Sequence, residues 1–427
     1  MNSELLEILR CPYCGGRLEL VESLFHVESG EEIEHGILGC HCCIFPVVDG
    51  IPVLHLQTDA TVARDQMQAG RPDLALRTMI GVEDEAGAAA FEAAKQSETA
   101  TYRETVDALG PNFEGGYFLY RFSDPTFIVA QAVVRGVARP VLGGTRRAID
   151  ICGGSGHLTR SLLDLSTATP VLADLYFAKI WLARRFTAPG CEPVCCDGNS
   201  PMPFARGAFR YAMCSDAFMY IWTKRQFVLD MLRLIDDRSE RATPGAVMIS
   251  HTHNQCTWTP SHGQPLTPAG YRNLFETIEP RIVGESVLFA DVVNGGPLDL
   301  SRQATEKALA AEPALTIIAT RHPGVFVPHP LEPPPASALG EFRVNPLYVE
   351  SDASAASVVF RLRFPSEDYE QEYGACRQYL PEEVAIPRDG LSALAAGRVP
   401  GELSDLLRRR VIVDLPRGYG APAAGIT

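Results

Sequence analysis

Between Arg146 and His322 short apolar runs alternate with amphipathic helical stretches, and this alternation constrains the fold more than any other feature of the chain. The candidate strands are RRAIDI, TPVLADL, EPVCCD, RYAMCSD, AVMISHTH, ESVLFADVV and ALTIIATRH. SGHLTRSLLDL, YFAKIWLARRF and DAFMYIWTKRQFVLDMLRLIDD read as the helices between them. Strand, helix, strand repeated in this way implies an α/β, doubly wound arrangement with a parallel sheet covered on both faces. The last two strands, separated by a longer segment, are candidates for an antiparallel edge.

AIDICGGSGHLTR runs from an apolar strand into Gly153, Gly154 and Gly156 and then toward a helix. Glycine at that point lets a ligand approach the backbone closely and exposes N–H groups at a helix start. Asp150 ends the strand, Asp174 in VLADL lies 24 residues further on, and Asp197 in EPVCCD another 23. Carboxylates at three successive strand ends would line one crevice, where open α/β sheets bind ligands. An acidic residue roughly 20 residues after a glycine loop is also how doubly wound folds grip ribose hydroxyls. A dinucleotide-binding oxidoreductase uses the same two features, and a glycine turn without a ligand is the plainer alternative.

Over roughly residues 120 to 325 these motifs resemble the class I S-adenosylmethionine-dependent methyltransferases. The family's strand-D-x-G-x-G-x-G motif is matched by DICGGSG, with Asp150, Gly154 and Gly156 in register and Cys152 in place of the first glycine. DGNSPMPFARGAFRYAMCSD is similar to the family's acidic-loop and strand-four segment through Pro203, Phe204 and Phe209, while Arg210 stands where an aspartate is common. The resemblance implies a Rossmann-like doubly wound methyltransferase sheet and S-adenosylmethionine as cofactor. Asp150, Gly154 and Gly156 would hold its methionine end, Asp174 its ribose, and Asp197 with Gly198 its adenine. ISHTHNQ then places His251, His253 and Asn254 where substrate groups lie in this fold. Histidine titrates near neutral pH and suits a general base, so His251 and His253 are the candidate catalytic residues, with polar loop residues as the alternative. His157 reads as structural or as a cofactor-side contact, and Tyr220 and Trp222 as acceptor-pocket or core aromatics.

Five of the twelve cysteines fall within the first 43 residues. Cys11 and Cys14 in CPYCGG can share one tetrahedral ion, and Cys40 and Cys43 in CHCC are the matching pair, with Cys42 in reserve. Four thiolates leave no position for water, so zinc here would be structural. Reduced thiols filling a small core are the alternative, but a segment this short has little core to offer without a staple. LLEILRCPYCGGRLEL and FPVVDGIPVL resemble the Trm112-like zinc-ribbon family, some members of which activate methyltransferases as separate partners. Here the ribbon would be fused to its enzyme, with a shorter spacing from CHCC to FPVVDGIP than the family's usual form.

These readings divide the chain into a ribbon over 1–58, a helical connector or cap over 59–125, a methyltransferase domain over 126–325 and a C-terminal α+β extension over 336–427. The proline-rich HPGVFVPHPLEPPPAS marks a boundary near residue 335. The formal charge of −14, from 38 basic and 52 acidic residues, works against extensive phosphate contact. No apolar run approaches the roughly 20 residues that a membrane span needs, and the first residues lack the pattern of a signal peptide, so a cytoplasmic protein is expected. The function these features imply is methyl transfer to a small-molecule acceptor, with specialised metabolism a candidate setting. The alternative is an rRNA or tRNA methyltransferase whose ribbon grips RNA, against which stand the acidic EEIEH of the ribbon and the reading SDAFMY where Asn-Pro-Pro-Tyr would mark methylation of a planar amine. A third, non-enzymatic reading is a binding protein that has lost activity.

Overall fold

The computed structural model describes residues 1–82, 84–110, 115–143, 146–236, 244–259, 263–331 and 340–420. The expected boundary near residue 335 lies outside them. The chain divides into two compact units, one made of Met1–Ala88, Val133–Val287 and Asp299–Pro328, the other of Ala89–Ala132, Leu288–Leu298 and His329–Thr427.

The first unit opens with α1 (Ser3–Ile8), whose N-terminus is capped by the Asn2 side chain accepting from the Glu4 amide. Five short antiparallel strands follow: β1 (Glu19–Leu20), β2 (Val27–Ser29), β3 (Glu32–Gly39), β4 (Ile44–Val48) and β5 (Ile51–Pro52). Next come helices α2 (Thr58–Gln68) and α3 (Pro72–Ile80), the latter started by proline and stopped by Gly81 in the left-handed region. Helices α4 (Glu85–Gln96), α5 (Tyr102–Ala108), α6 (Gly115–Phe118) and α7 (Pro125–Val141) lead to the large sheet.

That sheet contains β6 (Ala148–Ile151), β7 (Val171–Asp174), β8 (Glu192–Cys195), β9 (Tyr211–Ser215), β10 (Ala246–His253), β11 (Arg281–Gly284) and, after a short β12 (Leu298–Asp299), β13 (Ala314–Thr320). Their order is β11-β13-β10-β9-β6-β7-β8. The central pairs are parallel, and β13 runs antiparallel to both of its neighbours, β10 and β11. AIDI, VLAD and ALTIIAT are buried along their whole length, because helices cover both faces and neither set of side chains reaches water. The helices that matter for the site are α8 (Thr159–Leu163), α9 (Phe177–Leu182), α10 (Lys224–Ile235), α11 (Pro268–Arg272) and α12 (Glu285–Asn294).

Two expectations are corrected. ESVLFADVV is a helix, α12, and the strand is the preceding RIVG. Glu312 decides the change: its carboxylate lies over Gly284, where a Cβ would stand 2.3 Å from Glu312 Cδ, and accepts from the Ser286 amide at the start of α12. Also, of the last two strands only β13 is antiparallel, and it is inserted between β10 and β11 instead of forming the edge.

The cysteine-bearing segment continues the large sheet. Val53 forms a parallel bridge to Cys195, and the Leu54 amide donates to the Cys195 carbonyl at 2.7 Å, so β8 has no bare edge here. On the other side of the segment the Arg10 amide donates to Pro203 and the Ala205 amide to Ile8, both at 2.8 Å. Asp49 receives the Trp181 indole N–H at 2.7 Å, and Arg184 pairs with Glu32. Met1, Leu5, Leu9, Phe45 and Leu54 share one apolar core with Val194, Phe204 and Phe209.

In the second unit α5 carries a full capping box between Thr101 and Glu104. Strand Gly340–Val344 pairs antiparallel with Ile412–Pro416, and Tyr348–Ala353, Ser357–Leu362 and Glu383–Pro387 form a three-stranded antiparallel sheet. Its core is aromatic: Tyr102 stacks on Tyr419 with ring centroids 5.3 Å apart, and Phe122 meets Phe127 edge-on at 5.4 Å.

Candidate functional site

The carboxyl ends of five adjacent parallel strands collect the chemistry-bearing side chains. Beyond β6 the chain enters the glycine loop with Cys152, Gly154 and Gly156 all at positive φ (59°, 53° and 76°). A Cβ on Gly156 would stand 2.8 Å from Ala183 Cβ, so this position needs glycine for space as well as for conformation. Cys152 adopts the left-handed backbone that the missing first glycine would adopt without strain.

Asp150 is buried and accepts from Thr159 Oγ1 at 2.7 Å, tying the strand end to the first turn of α8; burial pushes its carboxyl up to about 7. Asp174 accepts from the Gly154 and Tyr176 amides, each at 2.9 Å, so the second strand end is fastened to the glycine loop. Burial raises the Asp174 carboxyl, against the pull of those amides and of Lys179. Asp197, two residues beyond the paired end of β8, accepts from the Asn199 amide at 2.8 Å, with Gly198 between them. Ser155 is fully buried in the loop, and its hydroxyl has no hydrogen-bond partner among the described residues. The strand ends thus bring together the glycine loop and the carboxylates of Asp174 and Asp197, acceptors that suit a polar ligand bearing hydroxyls and an amine.

Further along the same edge, Asp216 follows β9 and His251 lies near the end of β10. Both are at positive φ, 57° and 48°, and the register of β10 against β13 slips between Ile249 and Thr252. A bulge at a strand end re-aims side chains, and here it turns His251 toward Asp216. His251 Nδ1 lies 2.7 Å from Glu285 Oε2, and its backbone amide donates to Glu285 Oε1, also at 2.7 Å. Thr316 Oγ1 donates to Glu285 Oε1 at 2.8 Å. Burial opposes ionisation of Glu285, yet His251 and these donors hold its carboxyl below the ordinary range. His251 Nε2 faces Asp216 Oδ1 at 4.0 Å, and the His251 and His253 rings meet edge-on at 5.7 Å. The strand continues through His253, so both histidines share one side, with Thr252 buried on the other. Asn254 is different: its side chain is buried and donates to the Leu309 and Glu312 carbonyls.

His157 is buried beside the loop. Tyr220 and Trp222, together with Tyr176 and Trp258, are exposed aromatics after β9, β7 and β10, not core residues. Glu285 and Asp216 were not singled out by sequence reasoning. A cavity of about 540 Å³ lined by Arg146, Arg147 and Arg210 lies at the opposite, amino end of the strands, away from all of these groups.

At the amino terminus the Sγ atoms of Cys11, Cys14, Cys40 and Cys42 lie within 4.8 Å of one another. Cys11 to Cys42 is 3.6 Å, Cys14 to Cys40 is 3.7 Å and Cys40 to Cys42 is 3.6 Å. Four sulfurs around one zinc ion are about 3.8 Å apart, given Zn–S bonds of about 2.3 Å. The expected Cys43 lies outside this group and packs against the apolar core. Its Sγ lies 3.4 Å from that of Cys42, beside the group and on its core side. Burial pushes the Cys11 thiol up to about 12. Burial also opposes ionisation of Cys40, but the Cys42 and Cys43 amides and neighbouring thiols bring it down to about 7.

The order β11-β13-β10-β9-β6-β7-β8, with one inserted antiparallel strand, is the doubly wound sheet of class I S-adenosylmethionine-dependent methyltransferases. No family model matches the chain. Over 65 residues it is 40% identical to UPF0434 protein MS0934 of Mannheimia succiniciproducens, a match covering 15% of this chain and 92% of that protein. Through this segment the chain belongs to the UPF0434 family, a zinc-ribbon family. Among solved structures, a chain of the complex between the Haloferax volcanii Trm112 methyltransferase activator and a methyltransferase is 13% identical, over 49% of this chain and 96% of that one, with a TM-score of 0.35. Geranyl diphosphate C-methyltransferase from Streptomyces coelicolor A3(2) is 15% identical over 42% and 72%, with a TM-score of 0.32. A SAM-dependent methyltransferase from Aquifex aeolicus is 11% identical over 46% and 98%, with a TM-score of 0.29. At such TM-scores the fold assignment stands on the strand order and not on these superpositions.

Proposed function

We propose that the chain is an S-adenosylmethionine-dependent methyltransferase acting on a small-molecule acceptor, with a structural zinc ribbon built into its amino terminus. The observation that carries this is the left-handed glycine loop beside Asp174 and Asp197 at successive strand ends, with the orphan Ser155 hydroxyl inside it. Gly154 and Gly156 with Asp150 behind them take the amino-acid end of the cofactor, Asp174 the ribose hydroxyls, and Asp197 with Gly198 the adenine. Each Asp174 oxygen accepts one amide and keeps a lone pair for a hydroxyl.

The cofactor supplies a methyl group on a sulfonium, which leaves the protein two tasks, alignment of the acceptor and removal of its proton. His251 and His253 serve the second from the acceptor side, with Glu285 fixing the His251 ring. The exposed Tyr220 and Trp222 offer an apolar wall to the acceptor. Zinc on Cys11, Cys14, Cys40 and Cys42 has no catalytic part, since four thiolates close its coordination. We assign the ribbon to 1–58, the connector to 59–125, the methyltransferase domain to 126–325 and the extension to 336–427. No helix among the described residues is long and apolar enough to cross a membrane, and twelve cysteines with none in a disulfide suit a reducing compartment such as the cytoplasm.

Incubation of the purified full-length protein with methyl-tritiated S-adenosylmethionine and a lysate of its own host tests the reading. Label is expected in the small-molecule fraction. Label in RNA would favour the ribbon as an RNA-gripping element, against its acidic Glu31, Glu32 and Glu34.

A further inference from the structure

We propose that Asp216, His251 and His253 form a second metal site, for one divalent first-row transition ion, at the acceptor end of the crevice. One ligand atom from each of the three lies within 4.8 Å of the others, and none of the side chains is fully exposed. A single ion at bond lengths of about 2.0 to 2.2 Å draws such atoms together by roughly 1 Å, which half-buried side chains at loop ends can supply. Two imidazoles and one carboxylate make a donor set for iron(II), cobalt(II), manganese(II) or zinc, and they leave coordination positions open.

Three independent features converge on this use. The Nδ1 of His251 is engaged by Glu285, which fixes the tautomer and leaves Nε2 as the donor atom, on the Asp216 side. Metal-ligating histidines are oriented by a carboxylate in this way. Glu285 is itself buried and held by three donors: the His251 amide, the His251 ring and Thr316. Asp216 and His251 both adopt left-handed backbones, and the sheet register breaks beside His251, so the strand ends carry strain that brings these side chains together. A polar cap on two strands requires none of these.

The ion's chemical consequence rests on the methyltransferase reading, although the site itself does not. Its open positions would take an oxygen donor of the acceptor, so the acceptor class is one bearing a hydroxyl or carbonyl oxygen that can coordinate a metal. The ion would lower the pKa of that bound oxygen so that its proton passes to solvent, and His251 and His253 would then serve as ligands in place of the general-base role.

Manganese(II) tests the site selectively, because zinc-loaded thiolates of the ribbon do not yield to so hard an ion. The full-length protein carrying one equivalent of zinc, in the ribbon, is titrated with Mn2+ and the free ion is followed by electron paramagnetic resonance, without cofactor. The expected result is saturation at one equivalent, at least tenfold weaker in Asp216→Asn and in His253→Ala. Glu285→Gln, which retains all three ligands, is expected to weaken binding by 10- to 100-fold as a positioning residue. Titration with S-adenosylhomocysteine checks that each variant is folded and separately tests the cofactor reading. Absence of saturable Mn2+ binding by the parent protein overturns the proposal, as does undiminished binding in Asp216→Asn and His253→Ala.

Discussion

Asp150 shows how one buried carboxyl can shape the pH response of the whole chain. It ionises near 3.8 when exposed and at about 7 in the folded protein, because burial penalises its charge. Between these values the native state holds a proton that the unfolded state has lost, so stability falls as pH rises through that window. Asp150→Asn removes the titration while keeping an oxygen for Thr159. The variant is therefore expected to gain stability relative to the parent as pH rises from 4 to 7, by about 1 kcal/mol per pH unit, and to level off above 7. Urea melts of both proteins across that range check it, and parallel profiles would contradict it. The position of Asp150 was legible in the sequence; its burial was not, because it arises where the glycine loop and Thr159 fold back over the strand end. Asp216 and Glu285 escaped for related reasons. Glu285 sits in an apolar run that reads as a strand, and its partner His251 lies 34 residues earlier.

The elements were legible where burial on both faces leaves an unbroken apolar run, as in AIDI, VLAD and YAMCS. They were not legible where a long-range contact decides. ESVLFADVV has enough β-branched and aromatic residues for a strand, but it forms a helix whose first turn receives Glu312 at the Ser286 amide, a partner 26 residues away. The ribbon gives the same lesson at shorter range. CHCC offers three cysteines for two positions, and the folded turn brings Cys40 and Cys42, not Cys43, within 4.8 Å of both Cys11 and Cys14. Cys42→Ser is expected to lose tightly bound zinc, while Cys43→Ser retains one equivalent. Zinc content after dialysis, measured by mass spectrometry, separates the two, and the opposite pattern would restore Cys43 as the ligand.

At the scale of the first unit, the ribbon and the large sheet are one body. The Val53–Cys195 bridge, the Arg10–Pro203 and Ala205–Ile8 bonds and the shared core join them along three separate lines. Nothing local in CPYCGG or FPVVDGIP announces these contacts, since their partners are more than a hundred residues away. The parallel, two-sided sheet was accessible from the alternation of elements, whereas the strand order, and above all the insertion of β13 between β10 and β11, depends on pairing that no period reveals. Asp150, Asp174 and Asp197 thus stand on strands braced by the ribbon, which covers the edge of β8, and the proposed cofactor site would rest on that support. Isothermal titration with S-adenosylhomocysteine tests this most directly: the account predicts one saturable site on the parent protein and affinity at least tenfold weaker in Asp174→Ala, whereas no binding by the folded parent protein, or equal affinity in the variant, would contradict it.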